Sequence, residues 1–174
     1  LDYADVALWR EWIPLLQPVE SGKGALRVWF DVDAGKPTAA TADIELTDVR
    51  MRFAKELPQL DLAHVGGRVM WKADGGRHDF SAKNLTFRTT EGQELEPATL
   101  ALGWNEDAAG AITGGALTFD RLEMAPLSAL ASHLPLQDHW RRNLATYALR
   151  GNVSSGKFSW QGPPDAPSRF SGSG

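Results

Sequence analysis

The side chains that could do chemistry are histidines and carboxylates, and they are scattered along the chain. The four histidines are His64, His78, His133 and His139. The last two are six residues apart with a proline between them, so they do not share one face of a helix. A zinc site needs three or four converging ligands, and no such spacing is present. We therefore expect no metal site and interpret the histidines as structural side chains.

Several carboxylates could act as a general acid and base if the fold brought two of them together. The candidates are Asp2, Asp5, Glu11, Asp43, Glu45, Asp48 and Asp61. Carboxylates spread over strands normally form a solvated face, and the chain has no nucleophile elbow, phosphate-binding loop, zincin or EF-hand motif. Glycine pairs at 66–67, 75–76 and 114–115 predict turns, bulges or close strand contacts. We therefore expect no catalytic residues, no cofactor and no enzymatic activity.

Composition narrows the class of protein further. The chain has 174 residues, 18 Lys plus Arg against 22 Asp plus Glu, and no cysteine. This length suits one domain with a real core. The mild acidity argues against a nucleic-acid partner, and the lack of cysteine excludes disulfides and thiolate chemistry. No apolar run reaches 18 residues, and the chain starts without Met and ends in a Ser/Gly tail, so we expect a piece of a longer protein.

Hydrophobic periodicity predicts a mainly β fold with a few short helices. A helix is expected after Asp5, because apolar residues recur at helical spacing up to Leu16. The next hundred residues alternate with a period of two and predict six strands joined by short turns, an antiparallel meander. These strands are Ala25–Asp33, Ala40–Phe53, Leu62–Ala73, Asp79–Thr90, Thr99–Trp104 and Ala111–Met124. The alternation slips near Thr47, Lys83 and Asp120, which predicts β-bulges that curl the sheet.

The remaining segments suggest a repeating unit. Residues 1–4 are followed by a predicted helix. About 120 residues later, residues 122–125 have a similar sequence and are followed by the two short helices predicted at Pro126–Leu134 and Gln137–Leu149. Val153–Gln161 then resembles a new strand. We therefore divide the chain into a linking helix from a preceding repeat (1–20), a β-groove repeat (21–124), a helical connection (125–150), the first strand of the next repeat (151–162) and a linker or tail (163–174).

One face of the predicted sheet is apolar and the other is polar. The apolar face, which Trp104 shares, is assigned Leu26, Val28, Phe30, Ile44, Leu46, Val69, Trp71, Phe87, Leu100, Leu102, Leu117 and Phe119. The polar face is assigned Arg27, Asp31, Asp43, Glu45, Arg68, Lys72, Arg88 and Thr118. A few helical turns cannot cover six strands, so the sheet must curl on itself, pack on a partner or hold an apolar ligand. On pattern alone, a closed sandwich or barrel is favoured over an open groove.

A family resemblance bears on that choice. The carrying segments, in chain order, are residues 1–4 (LDYA), 9–16 (WREWIPLL), 21–29 (SGKGALRVW), 42–50 (ADIELTDVR), 60–71 (LDLAHVGGRVMW), 122–127 (LEMAPL) and 149–151 (LRG). Together they resemble the AsmA-like proteins of Gram-negative envelopes, in particular the YhdP type. They cover most of the chain in the right order, and no catalytic motif comes with the resemblance.

The resemblance implies a fold, a location and a function. It implies a curved antiparallel meander forming a half-pipe groove, in the periplasmic part of a protein whose inner-membrane anchor lies outside this segment. The twelve apolar-face residues would line a path for phospholipid acyl chains between the inner and outer membranes. Expected partners are neighbouring repeats and proteins of the two membranes, with no nucleic acid. The alternative is a structural or interaction scaffold of the envelope with a closed apolar core.

Overall fold

The computed structural model describes residues 4–5, 18–134, 141, 142, 144 and 151–174. In these ranges it contains eleven strands and one helix that can be bounded. The elements are β1 (Ala4–Asp5), β2 (Val19–Asp33), β3 (Lys36–Met51), β4 (Leu60–Asp74), β5 (Arg77–Thr89), β6 (Glu94–Glu106), β7 (Ile112–Phe119), β8 (Arg121–Glu123), α1 (Met124–Leu130), β9 (Asn152–Ser154), β10 (Lys157–Gln161) and β11 (Arg169–Ser173).

The strands form one long antiparallel meander. Nine of them lie in the order β1-β2-β3-β4-β5-β6-β7-β10-β11, and β8 pairs with β9 in a separate two-stranded sheet. In the part of the chain that the structure describes, β1 and β11 do not pair with each other, so the sheet is not closed into a barrel. The predicted mainly β meander is confirmed, and its six central strands are β2 to β7.

Two tight hairpins set the register. Ala34 and Gly35 have φ of 47° and 78°, and Gly75 and Gly76 have φ of 55° and 83°. Positive φ at both central residues is typical of the two-residue turns that match strand twist. The turns β2–β3, β4–β5, β6–β7 and β10–β11 all lie at one side of the sheet, which we call the hairpin rim. The opposite side, with connections 52–59 and 90–93, is the α1 rim.

Two of the three predicted slips are β-bulges. Asp48 has a φ of 51°, and the β2–β3 register shifts between Ser21 and Lys23. Asn84 also has a φ of 51°, and the β5–β6 register shifts between Ala82 and Leu85. Asn and Asp tolerate this left-handed conformation better than most residues. Each bulge takes up an extra residue, so the alternation resumes on the same faces beyond it.

The third slip, at Asp120, is a break between strands and not a bulge within one. The predicted strand Ala111–Met124 divides into β7 and β8, which belong to different sheets. Asp120 Oδ1 accepts hydrogen bonds from the backbone N–H groups of Thr99 (2.8 Å) and Arg121 (2.6 Å). These bonds hold the pKa of the Asp120 carboxyl below its usual value, and the bond from Thr99 has the largest effect. The carboxylate thus fixes the corner where the chain leaves the large sheet.

Two strands begin earlier than predicted. Residues 21–24 belong to β2, because Gly24 (φ 145°) lets the backbone approach β3 so closely that a Cβ there would collide with the carbonyl oxygen of Glu45. β6 begins at Glu94 and not at Thr99. Its one proline, Pro97, lies where the β5–β6 register shifts, a place that tolerates the missing N–H.

The C-terminal segment also differs from expectation. The predicted strand Val153–Gln161 is two strands, β9 and β10, with Ser155 (φ 54°) at the change of sheet. The expected linker over 163–174 contains β11, which pairs with β10 from Arg169 to Ser173. A Ser/Gly-rich sequence has little strand signal of its own, and here backbone pairing with β10 supplies the structure.

The predicted helices are only partly within the described residues. The first, after Asp5, lies outside them, and Asp5 itself belongs to β1. The second is α1. It starts two residues before Pro126, because β8 leads directly into it, and it ends at Leu130. Most of Gln137–Leu149 is outside the described residues, although 141, 142 and 144 are helical.

The buried core lies toward the α1 rim. Leu130 of α1 is buried, and it packs with buried residues of the sheet: Val19, Leu26, Ala42, Leu46, Val49, Leu60, Leu62, Val69 and Ala82. Leu57, in the 52–59 connection, is also buried. One side of the apolar face is therefore covered by the chain itself.

Replacing Gly24 with alanine is expected to destabilise the protein by about 2–4 kcal/mol, because steric overlap with Glu45 adds to the backbone strain of a positive φ. Urea unfolding measures the loss. The matched control is Gly35→Ala, which also has a positive φ but no atom within 4 Å of the added Cβ. Equal losses in the two variants would show that the close approach of β2 and β3 is unimportant.

Candidate functional site

Cross-strand pairing places the predicted apolar residues on one face. Directly paired residues of antiparallel strands point to the same side of the sheet. One row of pairs crosses six strands: Val28, Ala42, Val69, Ala82, Leu100 and Phe119. A second row crosses eight: Phe30, Ala40, Trp71, Phe80, Leu102, Leu117, Phe158 and Gly172. We call these the middle row and the long row.

The other predicted residues complete the same apolar face on the α1-rim side. Leu26 pairs with Ile44. Leu46 pairs with Val65, which in turn pairs with Phe87. All twelve predicted residues therefore share one face despite the bulges.

Burial varies strongly across this apolar face. Leu46 is 2% exposed, and Leu26, Val69 and Phe119 are also buried. Phe30, by contrast, is 44% exposed. The remaining predicted residues are half-buried: Val28, Ile44, Trp71, Phe87, Leu100, Leu102 and Leu117. The α1-rim side is thus packed core, whereas the side toward the hairpin rim has accessible apolar surface.

Sequence reasoning missed part of the apolar face. Phe158 lies 5.9 Å from Phe119 and 6.1 Å from Phe170, measured between ring centroids. The alternation of Phe158 and Trp160 was a usable signal for β10. Phe170, which is 62% exposed, gave none, because it lies in a segment expected to be a linker. The face therefore continues past β7 onto β10 and β11.

An aromatic cluster with one carboxylate lies at the hairpin-rim end of the apolar face. The His78 and Trp104 rings stack, with centroids 5.0 Å apart and planes within 8°, and Trp71 lies 6.3 Å from His78. Trp104 Nε1–H donates a hydrogen bond to Glu106 Oε1 at 2.8 Å. Glu106 Oε2 is 3.4 Å from His78 Nε2. We call Trp71, His78, Trp104 and Glu106 the rim cluster.

The opposite face is polar, as predicted, and some of its charged side chains form ion pairs. Arg68 donates two hydrogen bonds to Asp43, at 2.5 and 2.8 Å, and these lower the pKa of the Asp43 carboxyl. Arg27 and Arg68 each have their guanidinium carbon 5.9 Å from the centre of the Trp29 ring. Exposed pairs of this kind add little stability, so they mark this face as solvated.

Three open cavities, with volumes of about 680, 560 and 880 Å³, are lined mainly by residues of the polar face, and the first also touches Trp71, Phe80 and Leu102 of the long row. Acidic side chains in each are accompanied by basic ones. In the first, Arg77 hydrogen-bonds to Asp79 at 2.8 and 3.0 Å. The second brings Asp43 beside Arg68, and the third contains Asp48, Asp61, Lys23 and Arg50. None of these three cavities presents a pair of acids without a neighbouring cation.

The described residues bring no three His, Asp or Glu side chains into an arrangement that could hold a metal ion. No helix among them combines the length and the apolarity needed to cross a bilayer.

Comparison with known proteins gives one match. A family model described as YhdP protein matches residues 1–173, nearly the whole chain. YhdP is a family of envelope proteins. No curated protein and no solved structure matches the chain.

Shortening an apolar side chain is expected to affect stability differently at the two sides of the apolar face. Leu46→Ala should cost about 2–5 kcal/mol, because it leaves a cavity in packed core. Phe30→Ala should cost less than about 1 kcal/mol, because Phe30 is 44% exposed. Chemical denaturation of both variants checks this. An equally large loss for Phe30→Ala would mean that the hairpin-rim side is closed core as well.

Proposed function

Because the chain belongs to the YhdP family, we propose that it is a segment of a periplasm-spanning protein that carries phospholipid between the inner and outer membranes along its apolar face. The observation that carries this proposal is the long row. It runs from Phe30 to Gly172 across eight strands of an open sheet and contains no charged side chain. Seven strand spacings of about 4.8 Å make it roughly 34 Å long.

The accessible surface of the long row suits acyl chains. Trp71, Phe80, Leu102 and Leu117 are half-buried, so each keeps apolar surface that a ligand could cover. Each CH₂ group removed from water gains about 0.8 kcal/mol. Because the gain follows covered area and not hydrogen-bond geometry, positions along the row are nearly equivalent. The acyl chains of a lipid on such a surface can move across the strands without breaking a specific contact.

The ends of the sheet support a path longer than this chain. β10 pairs with β7, although the β8–α1–β9 excursion separates them in sequence. Its Phe158 extends the long row beyond Leu117. This is the placement expected if β10 begins a further unit, as the 120-residue echo suggests. Neighbouring units of the same protein and proteins at the two membranes are the partners that this function requires, and the chain itself contributes no catalytic step.

The second candidate is an envelope scaffold, in which the same face is covered by protein. Leu46 and Val49, both 2% exposed, show that the α1-rim side already has this character. The two functions differ in what covers the accessible residues near the hairpin rim: lipid in the first, and a neighbouring protein surface in the second.

Leu102→Asp should reduce phospholipid transfer roughly tenfold or more, because it puts an unpaired charge on an apolar path. The matched control is Ala101→Asp on the same strand, since Ala101 is exposed and pairs with Ser81 and Thr118 on the polar face. Transfer between membranes is measured in cells that depend on the protein, at equal protein levels. Wild-type transfer by Leu102→Asp would rule out this path and favour the scaffold.

A further inference from the structure

We infer that the rim cluster binds the ammonium group of a zwitterionic phospholipid, so that the headgroup lies at the hairpin rim and the acyl chains lie over the long row. This inference rests on the proposed function and adds to it the orientation of the lipid and the headgroup class. It follows from the position of Trp71, His78, Trp104 and Glu106, from their contacts and from their charge.

The rim cluster lies where the apolar face meets solvent. Trp71 is in the long row, and His78 and Trp104 form the next pair toward the hairpin rim. Glu106 is the last residue of β6, and its backbone N–H donates to Gly76 O in the neighbouring turn. Going outward, the side chains change from aliphatic to aromatic with an N–H group, and then to a carboxylate. Tryptophan is enriched at membrane interfaces for the same reason, since its ring is apolar and its N–H is polar.

Glu106 supplies a negative charge that has little compensation. Among the ion pairs of the described residues, Glu106 has only His78 as a partner, whereas Asp79 nearby is paired with Arg77. Its side chain is half-buried, with 30% of its surface exposed. Each oxygen has two acceptor positions. Trp104 Nε1–H donates a hydrogen bond to Oε1, and His78 Nε2 lies 3.4 Å from Oε2.

A cation is the ligand that this arrangement favours. An ammonium group beside Glu106 could donate to the remaining acceptor positions of the carboxylate. The indole rings of Trp71 and Trp104 offer electron-rich faces of the kind that attract ammonium groups within about 6 Å. An anionic headgroup without an ammonium would meet repulsion at the same place.

The α1 rim does not offer an equivalent place. There Leu130 of α1, which is 7% exposed, packs with buried residues of the apolar face. A headgroup placed over this packed apolar surface would have to give up its contact with water, at a free-energy cost. The asymmetry of the two rims therefore places the headgroup of a bound lipid at the hairpin rim.

The test measures which lipid the purified protein takes up from an equimolar mixture of phosphatidylethanolamine and phosphatidylglycerol with identical acyl chains. Bound lipids are extracted and counted by mass spectrometry. We expect wild type to be enriched in phosphatidylethanolamine. Glu106→Gln should lower the ratio of the two bound lipids at least threefold, with total bound lipid within twofold of wild type. The Gln carbonyl can still accept the Trp104 hydrogen bond, so the fold should be retained.

Two controls separate the site from general effects. Glu91→Gln removes an exposed carboxylate in the β5–β6 turn at the α1 rim and should leave the ratio unchanged. Trp104→Phe keeps a ring beside His78 but removes the N–H that positions Glu106, and it should lower the ratio to a smaller extent. It also provides a second measurement if Glu106→Gln fails to fold.

The outcomes distinguish this inference from the proposed function. If wild type binds neither lipid, both fail. If lipid binds and the ratio is the same in wild type, Glu106→Gln and Trp104→Phe, the apolar path stands and the headgroup site is overturned. Free ethanolamine at the lipid concentration should not displace lipid. If it does, the cluster binds a soluble amine and the lipid orientation is wrong.

Discussion

The register of the antiparallel ladder is the constraint on which the rest of this structure depends. Successive side chains in a strand point to opposite faces, so a slip of one residue would turn the apolar set toward the polar side. The chain keeps one apolar face across eight strands because each extra residue is taken up locally. Asp48 and Asn84, both with φ of 51°, do this at the two bulges. Gly24 and the glycine-rich turns allow the close approaches that the register requires.

Burial of the apolar face is uneven. Toward the α1 rim, Leu46 and Leu130 belong to one packed core that stabilises the sheet. Toward the hairpin rim, the side chains become aromatic and more exposed, as at Phe30, and end in the rim cluster. Under the proposed function, stability and lipid contact would lie at opposite ends of each strand. An apolar surface near the hairpin rim can remain available without loss of the fold.

Much of this fold could be predicted from the sequence, because alternation with a period of two is a direct consequence of strand geometry. It identified the six central strands, the apolar face and the bulges at Thr47 and Lys83. It failed where pairing overrides local composition. β11 is rich in Ser and Gly and forms on β10, and the glycines of residues 21–24 indicated a loop although they permit a bulged strand. The break at Asp120 depends on a carboxylate that holds Thr99, which is 21 residues away.

The rim cluster lay beyond sequence reasoning for a related reason. Trp104 and Glu106 are two residues apart and share a face by alternation, but His78 comes from another strand. It is placed against Trp104 only by the β5–β6 register, which itself contains shifts. From the sequence alone, the four histidines are interpreted as structural side chains. In the fold, one of them stacks on a tryptophan beside an acid. Contacts between strands can be predicted only when the strand register is known, and the register is known only from the folded structure.

The most direct measurement of the central claim is photocrosslinking in living cells. A photoreactive residue replaces Phe30, Phe87 or Leu102 on the apolar face, with Arg27 and Lys72 on the polar face as controls. If the apolar face carries lipid, phospholipid will be crosslinked at the first three positions and not at the two controls. Crosslinks to protein alone, or none, at Phe30, Phe87 and Leu102 would contradict the lipid path and show that this face is closed by protein.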